Sequence, residues 1–316
     1  MSDQAEQLRR LVRETVQQDS TLQPGPPMVV VSGSQEDVGT TTIAVQLVKE
    51  LANQGKRTVL VDANPIRPEV GTKWSELEKL SMQSGRRISR EPRGTLVEVL
   101  AGSRTVLEGL QPLAEGVRLL AGRWTPESSL DLSDAALDRL LNGLRGLRDS
   151  TDIVVVDLGC GMSPWVHRCW LSAQQVLLVT TPKPDAVMGS YATLKLAASD
   201  SLHDRVRIVV NRCWEKSQAR SVFGRLDHTC RRFLDFSLAR FSLVAEYADA
   251  DRQGKEPSDG KSEACGLMED FQQSIRLLAA EVISNALVTM RRRMNPTAAA
   301  TQPHATNGVR KISVSK

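Results

Sequence analysis

The chain has 316 residues and a net charge of +4, with 41 basic and 37 acidic side chains. Its 41% hydrophobic content is enough for a large core, yet no apolar run reaches the roughly 18 residues that span a bilayer. The polar N-terminus lacks a signal peptide, so the sequence predicts a cytoplasmic protein. A charge this mild and an aromatic content of only 4% argue against nucleic acid as the principal partner.

The five cysteines show no CxxC spacing, and the four histidines leave little to complete a zinc site. We therefore expect reduced thiols and no structural zinc.

The N-terminal segment differs from the rest of the chain. Within residues 1–16, apolar residues recur at helical spacing and predict a short amphipathic helix. Residues 17–27 contain prolines and a glycine that cannot continue a helix, so they predict a linker.

From Met28 onward, short apolar runs alternate with helical stretches. Strands are predicted at 28–33, 57–62, 117–122, 152–157, 175–181, 206–211 and 241–244. This alternation predicts an α/β domain over residues 28–294, with a doubly wound, mostly parallel sheet. Within it, residues 72–93 predict a surface excursion and residues 271–294 a terminal helix, whereas 295–316 read as a disordered tail.

The first predicted strand leads into a glycine-containing loop and then a helix, an arrangement that binds phosphate at helix N-termini. Counted from Ser34, four residues precede Gly39, Thr40 and Thr41. This spacing fits the phosphate-loop pattern G-x-x-x-x-G-K-[ST], except that Thr40 stands in the lysine position.

Three more strands end in polar residues, namely Asp62, Asp157 and Asn211. In this order the segments resemble the ParA/MinD family of deviant P-loop ATPases. The resemblance implies Mg²⁺ at Thr41 and Asp157. It also implies that ATP lies against Ser34, Gly39, Thr40, Thr41, Thr42, Asp62 and Asn211.

The chain departs from the family where charge matters most. The two family lysines fall on Gln35 and Thr40, and two family glycines fall on Glu36 and Asp37. A family aspartate that helps to place the attacking water falls on Asn64, which cannot accept a proton. ATP and Mg²⁺ binding is therefore expected to be weakened or lost. Three readings stay open: a turn that binds no nucleotide, binding without hydrolysis, and a competent ATPase.

Residues 3–9, DQAEQLR, resemble the N-terminal motif of the FlhG (FleN/YlxH) branch of this family, and residues 95–122 and 163–195 resemble its middle segments. The resemblance implies that the N-terminal helix engages an SRP-type GTPase, FlhF, with Gln4 reaching its active site. The implied contact residues are Asp3, Gln4, Ala5, Leu8 and Arg9. The simpler alternative is a short helix that only caps the domain.

The alternative function is a divergent active ATPase that switches between a monomer and a membrane-bound homodimer. The basic cluster at 291–293 suits peripheral contact with an anionic membrane, and equally suits a solvated helix end. A bacterial tyrosine kinase is rejected because the chain has only two tyrosines. A DNA-partitioning protein is conceivable, although no strong basic surface is visible.

Overall fold

A computed structural model describes residues 25–80, 94–122, 131–198, 202–245 and 261–294. Eight strands form one sheet in the order β3-β4-β2-β5-β1-β6-β7-β8, and every pair is parallel except β3 with β4. The strands are β1 (Met28–Gly33), β2 (Thr58–Asp62), β3 (Gln111–Ala114), β4 (Val117–Leu120), β5 (Ile153–Cys160), β6 (Gln175–Thr180), β7 (Val206–Cys213) and β8 (Phe241–Ala245).

Helices cover both faces of this sheet. They are α1 (Thr40–Asn53), α2 (Val70–Leu80), α3 (Leu96–Leu100), α4 (Val106–Gly109), α5 (Asp134–Arg145), α6 (Pro164–Ser172), α7 (Pro184–Ala197), α8 (Lys216–Phe233) and α9 (Lys261–Met294). One core lies between the sheet and α3 to α8, and a second lies beneath α1, α2 and α9. The predicted doubly wound α/β fold in a single domain is confirmed.

The central strands are buried on both faces, which explains why they read as unbroken apolar runs rather than as alternating patterns. All seven predicted strands are present, with ends that shift by at most three residues. The strand β3 was not predicted. It has four residues, includes Pro112, and pairs antiparallel at the sheet edge, where proline is tolerated.

Two other expectations were wrong. Residues 72–80 do not form a surface excursion but belong to α2, whose Val70, Trp74 and Leu77 are buried at helical spacing against the core. The terminal helix begins at Lys261, ten residues before the predicted start at 271. No helix among the described residues is both long enough and apolar enough to cross a membrane.

A partly buried network of charged and polar side chains holds helix α9 against the sheet. Arg207 of β7 donates from Nη1 to Glu281 Oε2 at 2.7 Å and to Ser242 Oγ at 3.0 Å. The Ser242 hydroxyl donates to the same Glu281 oxygen at 2.7 Å. Because α9 also packs against α1, this network indirectly supports the helix that follows the loop at Ser34.

Candidate functional site

The loop after β1 closes tightly onto the start of α1. Ser34 N–H donates to Val179 O at 2.9 Å, which ties the loop to β6. Gly33 has no room for a side chain, because a Cβ there would collide with the Thr40 hydroxyl. Gly39 has φ 93° and serves as the N-cap of α1. Glycine adopts this backbone conformation readily, whereas other residues adopt it only at an energetic cost.

Asp37 also lies in the left-handed region, with φ 57°. The loop therefore keeps a glycine-like backbone at a position that now carries a carboxylate side chain. Holding a non-glycine residue there costs roughly 1 kcal/mol.

The cleft above this loop has a volume of about 290 Å³. Thr40, Thr41 and Thr42 line it from the first turn of α1, so the positive end of the helix dipole faces the cleft. The opposite wall is formed by the loop after β2 and by α2, and includes Asn64 and Lys73.

Two buried carboxylates, Asp62 and Asp157, lie just behind the lining of the cleft, and together with Thr41 they are called its floor. Asp62 and Asp157 are register partners on β2 and β5, and both are buried. Asp157 Oδ1 accepts from Gly159 N–H at 3.1 Å, and Asp62 Oδ2 accepts from Val70 N–H at 3.0 Å. The other oxygen of each has no hydrogen-bond partner among the described residues.

Burial governs the ionisation of both floor carboxylates, because it disfavours their charged forms. It raises the pKa of Asp157 to about 6, although a hydrogen bond from the Thr41 side chain opposes the rise. The pKa of Asp62 is raised well above its ordinary value, first by burial and then by the charge of Asp157. Thr41 therefore lies within reach of Asp157, and the role of the two residues as Mg²⁺ ligands stays a prediction.

The rim of the cleft, defined as Glu36, Asp37, Arg67, Lys73 and Arg212, carries the opposite charge pattern from a phosphate site. Arg67 pairs with Glu69 at 2.5 Å and Lys73 pairs with Glu76 at 2.6 Å, so carboxylates of the same wall neutralise them. Glu36, Asp37 and Arg212 make no ion pair with any residue in the described ranges. Within the described ranges, the rim therefore carries two carboxylates and one guanidinium that make no ion pair.

Two asparagines hold the loops around the cleft. Asn64 Oδ1 accepts from the N–H groups of Ile66 and Arg67, both at 3.1 Å, and its Nδ2 donates to Arg67 O at 2.8 Å. Asparagine suits this turn better than aspartate, since only the amide can donate to that carbonyl.

Asn211 closes the loop from the other side. Its Nδ2 donates to Val38 O at 2.9 Å, and its Oδ1 accepts from Arg212 N–H at 2.9 Å. Both polar atoms of the Asn211 side chain thus form hydrogen bonds with the backbone, and in this conformation neither is available to bind the adenine of a nucleotide.

The residues present match Mg²⁺ better than they match a triphosphate. Thr41 and Asp157 supply the hard oxygen donors that Mg²⁺ prefers, and Asp157 Oδ2 is buried without a partner. The loop has no cation of its own, and its two carboxylates would repel phosphate oxygens. The cleft is therefore a poor match for a triphosphate.

The structure brings most of the predicted site residues to one place. Gly39, Thr40, Thr41 and Thr42 line the cleft directly. Ser34, Asp62, Asp157 and Asn211 lie just behind this lining, and all four are buried. The predicted partner contacts from Asp3 to Arg9 lie outside the described residues.

Sequence reasoning missed several residues that line the cleft, among them Arg67, Lys73, Cys160 and Arg212. Cys160 and Arg212 lie at the carboxyl ends of β5 and β7, and Arg67 lies in the loop after β2, so the edge where ligands bind in such sheets was the available signal for these three. Lys73 lies on α2, which the sequence did not predict.

Comparisons with known proteins agree with this architecture. The antiactivator FleN of Pseudomonas aeruginosa is 28% identical over 217 residues, 69% of this chain and 72% of FleN. The flagellum site-determining protein YlxH of Helicobacter pylori is 24% identical over 199 residues, 63% of this chain and 62% of YlxH. The cell division ATPase MinD of Pyrococcus furiosus superposes with a TM-score of 0.53 at 16% identity, covering 80% of this chain and 99% of MinD. No protein-family model matches the chain.

The sheet order, the tight loop before α1 and the paired carboxylates beneath it define an α/β protein with the P-loop NTPase fold of the ParA/MinD type. Members of this class are nucleotide-binding ATPases that use Mg²⁺. Within the class, similarity to FleN and YlxH is the more informative relationship. These similarities support placing the chain in the FlhG branch of the ParA/MinD family.

Proposed function

We propose that the chain is a flagellar regulator of the FlhG type that works by binding a partner rather than by hydrolysing ATP. The similar proteins FleN and YlxH are named as an antiactivator and as a flagellum site-determining protein. The observation that carries the binding role is the rim of the cleft, where Glu36 and Asp37 make no ion pair with the part of the chain that the structure describes and the loop contributes no lysine.

The charge of the loop supports weakened nucleotide binding. Each charge-assisted hydrogen bond that is lost costs roughly 1.5–3 kcal/mol, so losing two lysines weakens ATP binding by about 100-fold or more. Hydrolysis suffers further, since the lysines would stabilise transition-state charge. Asn64 is committed to its turn and cannot act as a base.

Hydrogen bonds from two asparagines fix the backbone of the loops around the cleft. Asn211 holds the carbonyl of Val38, and Asn64 holds the turn after β2. A nucleotide would therefore have little left to order, which supports a protein whose shape does not depend on ATP.

The proposed partner is an FlhF-type GTPase, which the N-terminal segment would stimulate through Gln4. A glutamine can orient an attacking water without introducing charge. The test is the GTPase rate of the FlhF from the same organism, measured with the full chain and with Gln4→Ala. We expect stimulation by the full chain and its loss in the variant. Equal rates with and without the full chain would refute this role.

A nucleotide-gated switch is the second candidate, because Thr41 and Asp157 keep the arrangement suited to Mg²⁺. It predicts a homodimer that forms with Mg-ATP. Sizing the chain with and without Mg-ATP distinguishes the two functions, and we expect no difference.

Peripheral membrane contact is proposed through α9, whose outward residues Leu277, Leu287 and Val288 are exposed. Flotation with anionic and neutral vesicles tests it, and we expect binding to the anionic vesicles alone.

A further inference from the structure

Three large apolar side chains are exposed near the carboxyl edge of the sheet, and one of them, Ile66, lines the cleft. Ile66 is 67% exposed, Met188 is 70% exposed and Trp214 is 67% exposed. Single exposed apolar residues are ordinary, but a group around one cleft marks an interaction surface.

Neighbouring contacts place all three at the same edge of the sheet. Ile66 itself lines the cleft. Met188 precedes Gly189, which packs directly on the backbone of Ser34. Trp214 follows two residues after Arg212, another lining residue. They follow β2, β6 and β7, and β2 and β7 are separated by four strand spacings, or about 19 Å.

Charge adds a second requirement to this surface. Between the apolar residues, Glu36 and Asp37 are exposed and have no ion-pair partner among the described residues. An occupant that suits both features carries an apolar face flanked by basic side chains.

The chain's own N-terminal segment has this pattern. The apolar residues Ala5, Leu8, Leu11, Val12 and Val16 share one face of the helix predicted over residues 2–16. Arg9 and Arg13 are four residues apart and border that face. Fifteen helical residues are about 22 Å long, close to the 19 Å from β2 to β7.

The connection is long enough for docking within one molecule. The described chain begins at Gly25, beside Arg145 and ahead of β1. Residues 17–24 can span about 27 Å when extended, whereas the six residues of β1 cover about 20 Å. The segment can therefore pass from the amino edge of the sheet to the carboxyl edge.

We propose that residues 2–16 dock as a helix across the mouth of the cleft in the same molecule. The leucine face packs on Ile66, Met188 and Trp214, and Arg9 and Arg13 face Glu36 and Asp37. A docked segment is withheld from other proteins, so a partner must displace it. This docking does not depend on the GTPase role, since it concerns the isolated chain.

Cys160 provides the test, because it is half-buried in the lining of the cleft, whereas Cys169, Cys213 and Cys230 are buried in the core. The rate of alkylation by N-ethylmaleimide is followed at each cysteine by peptide mass spectrometry. In Arg9→Glu/Arg13→Glu we expect Cys160 to react roughly threefold to tenfold faster than in the full native chain, as the loss of two exposed ion pairs implies. The three core cysteines report unfolding and should not change.

Arg10→Glu is the matched control, since Arg10 lies away from the border of the apolar face. Leu8→Ser/Leu11→Ser should raise the alkylation rate of Cys160 as the double arginine variant does. If neither double variant changes the Cys160 rate, the docking is wrong. If protection of Cys160 disappears on dilution and sizing shows a dimer, the segment docks on a second copy of the chain, and docking within one molecule is wrong.

Gln4→Ala separates this proposal from the GTPase role. We expect it to leave Cys160 protected while abolishing stimulation of the GTPase. Loss of Cys160 protection in Gln4→Ala would contradict the docking geometry, whereas protection without any GTPase stimulation by the native chain would contradict only the proposed function.

Discussion

The floor of the cleft and its rim differ in how strongly the fold constrains them. Asp62 and Asp157 on the floor are buried at the ends of paired strands and have backbone donors. Glu36 and Asp37 on the rim are exposed, and packing does not determine their identity. The comparison teaches that a phosphate-loop fold can keep its architecture while the charge that binds phosphate is replaced.

Restoring the rim should have the largest effect. In Gln35→Lys/Glu36→Gly/Asp37→Gly/Thr40→Lys, two charge-assisted contacts worth roughly 3–6 kcal/mol together become available to phosphate. We expect Mg-ATP affinity to rise about 100-fold or more in calorimetric titration. Glu36→Gly/Asp37→Gly is the control that removes repulsion without adding lysines, and it should gain less. No gain in the fourfold variant would show that the floor has also lost its function.

The floor should make stability depend on pH. Folding raises the pKa of Asp157 to about 6, so the folded chain holds this proton more tightly than the unfolded chain does. Stability should therefore rise as the pH falls from about 7 to about 4, by roughly 3 kcal/mol for this group. The raised pKa of Asp62 acts in the same direction.

Asp157→Asn tests this directly by urea denaturation at several pH values. The variant should be more stable than the native chain at pH 7.5 and should depend less on pH. Asp185→Asn, at an exposed position, should leave the profile unchanged. A native chain that becomes more stable between pH 5 and pH 7 would contradict the assignment.

Asn64→Asp should destabilise the loop after β2 and have a smaller effect on the free energy of unfolding. Aspartate keeps the acceptor for Ile66 and Arg67 N–H but loses the donor to Arg67 O. We expect a loss of about 1–2 kcal/mol in the free energy of unfolding. Asn64→Ala removes donor and acceptor together and should cost more, so equal costs would argue against a separate role for the amide.

Asp37→Gly should have the smallest effect and should be stabilising. Glycine relieves the left-handed backbone at φ 57°, a gain of about 1 kcal/mol. Thermal unfolding measures it, with Glu36→Gly as the neighbouring control that lacks a positive φ. A larger gain at Glu36 would indicate charge repulsion rather than backbone strain.

Much of the fold was predictable because burial leaves a direct mark on sequence. The central strands are apolar runs, and the positions of Asp62 and Asp157 at strand ends were visible before their pairing was known. The helical spacing of Val70, Trp74 and Leu77 was also present but was hidden by the charged residues between them.

The remaining details of the site depend on contacts between distant residues. Asn211 reaches Val38 across 173 positions of sequence, and no local pattern announces that hydrogen bond. The ion pairs that neutralise Arg67 and Lys73 follow from the path of the loop after β2 and from the start of α2. The sequence of the loop therefore showed that the lysines are missing, but it did not show that Arg67 and Lys73 are neutralised by neighbouring carboxylates.

Glu281 lies well inside α9, yet its partner Arg207 belongs to β7. Arg207 is 8% exposed, so it depends on this carboxylate for neutralisation. A chain shortened before Glu281 would leave a guanidinium among apolar groups without a counter-ion, which destabilises a protein by about 3–5 kcal/mol. The autonomous folding unit therefore extends past Glu281, and the last strand, β8, is not its C-terminal boundary.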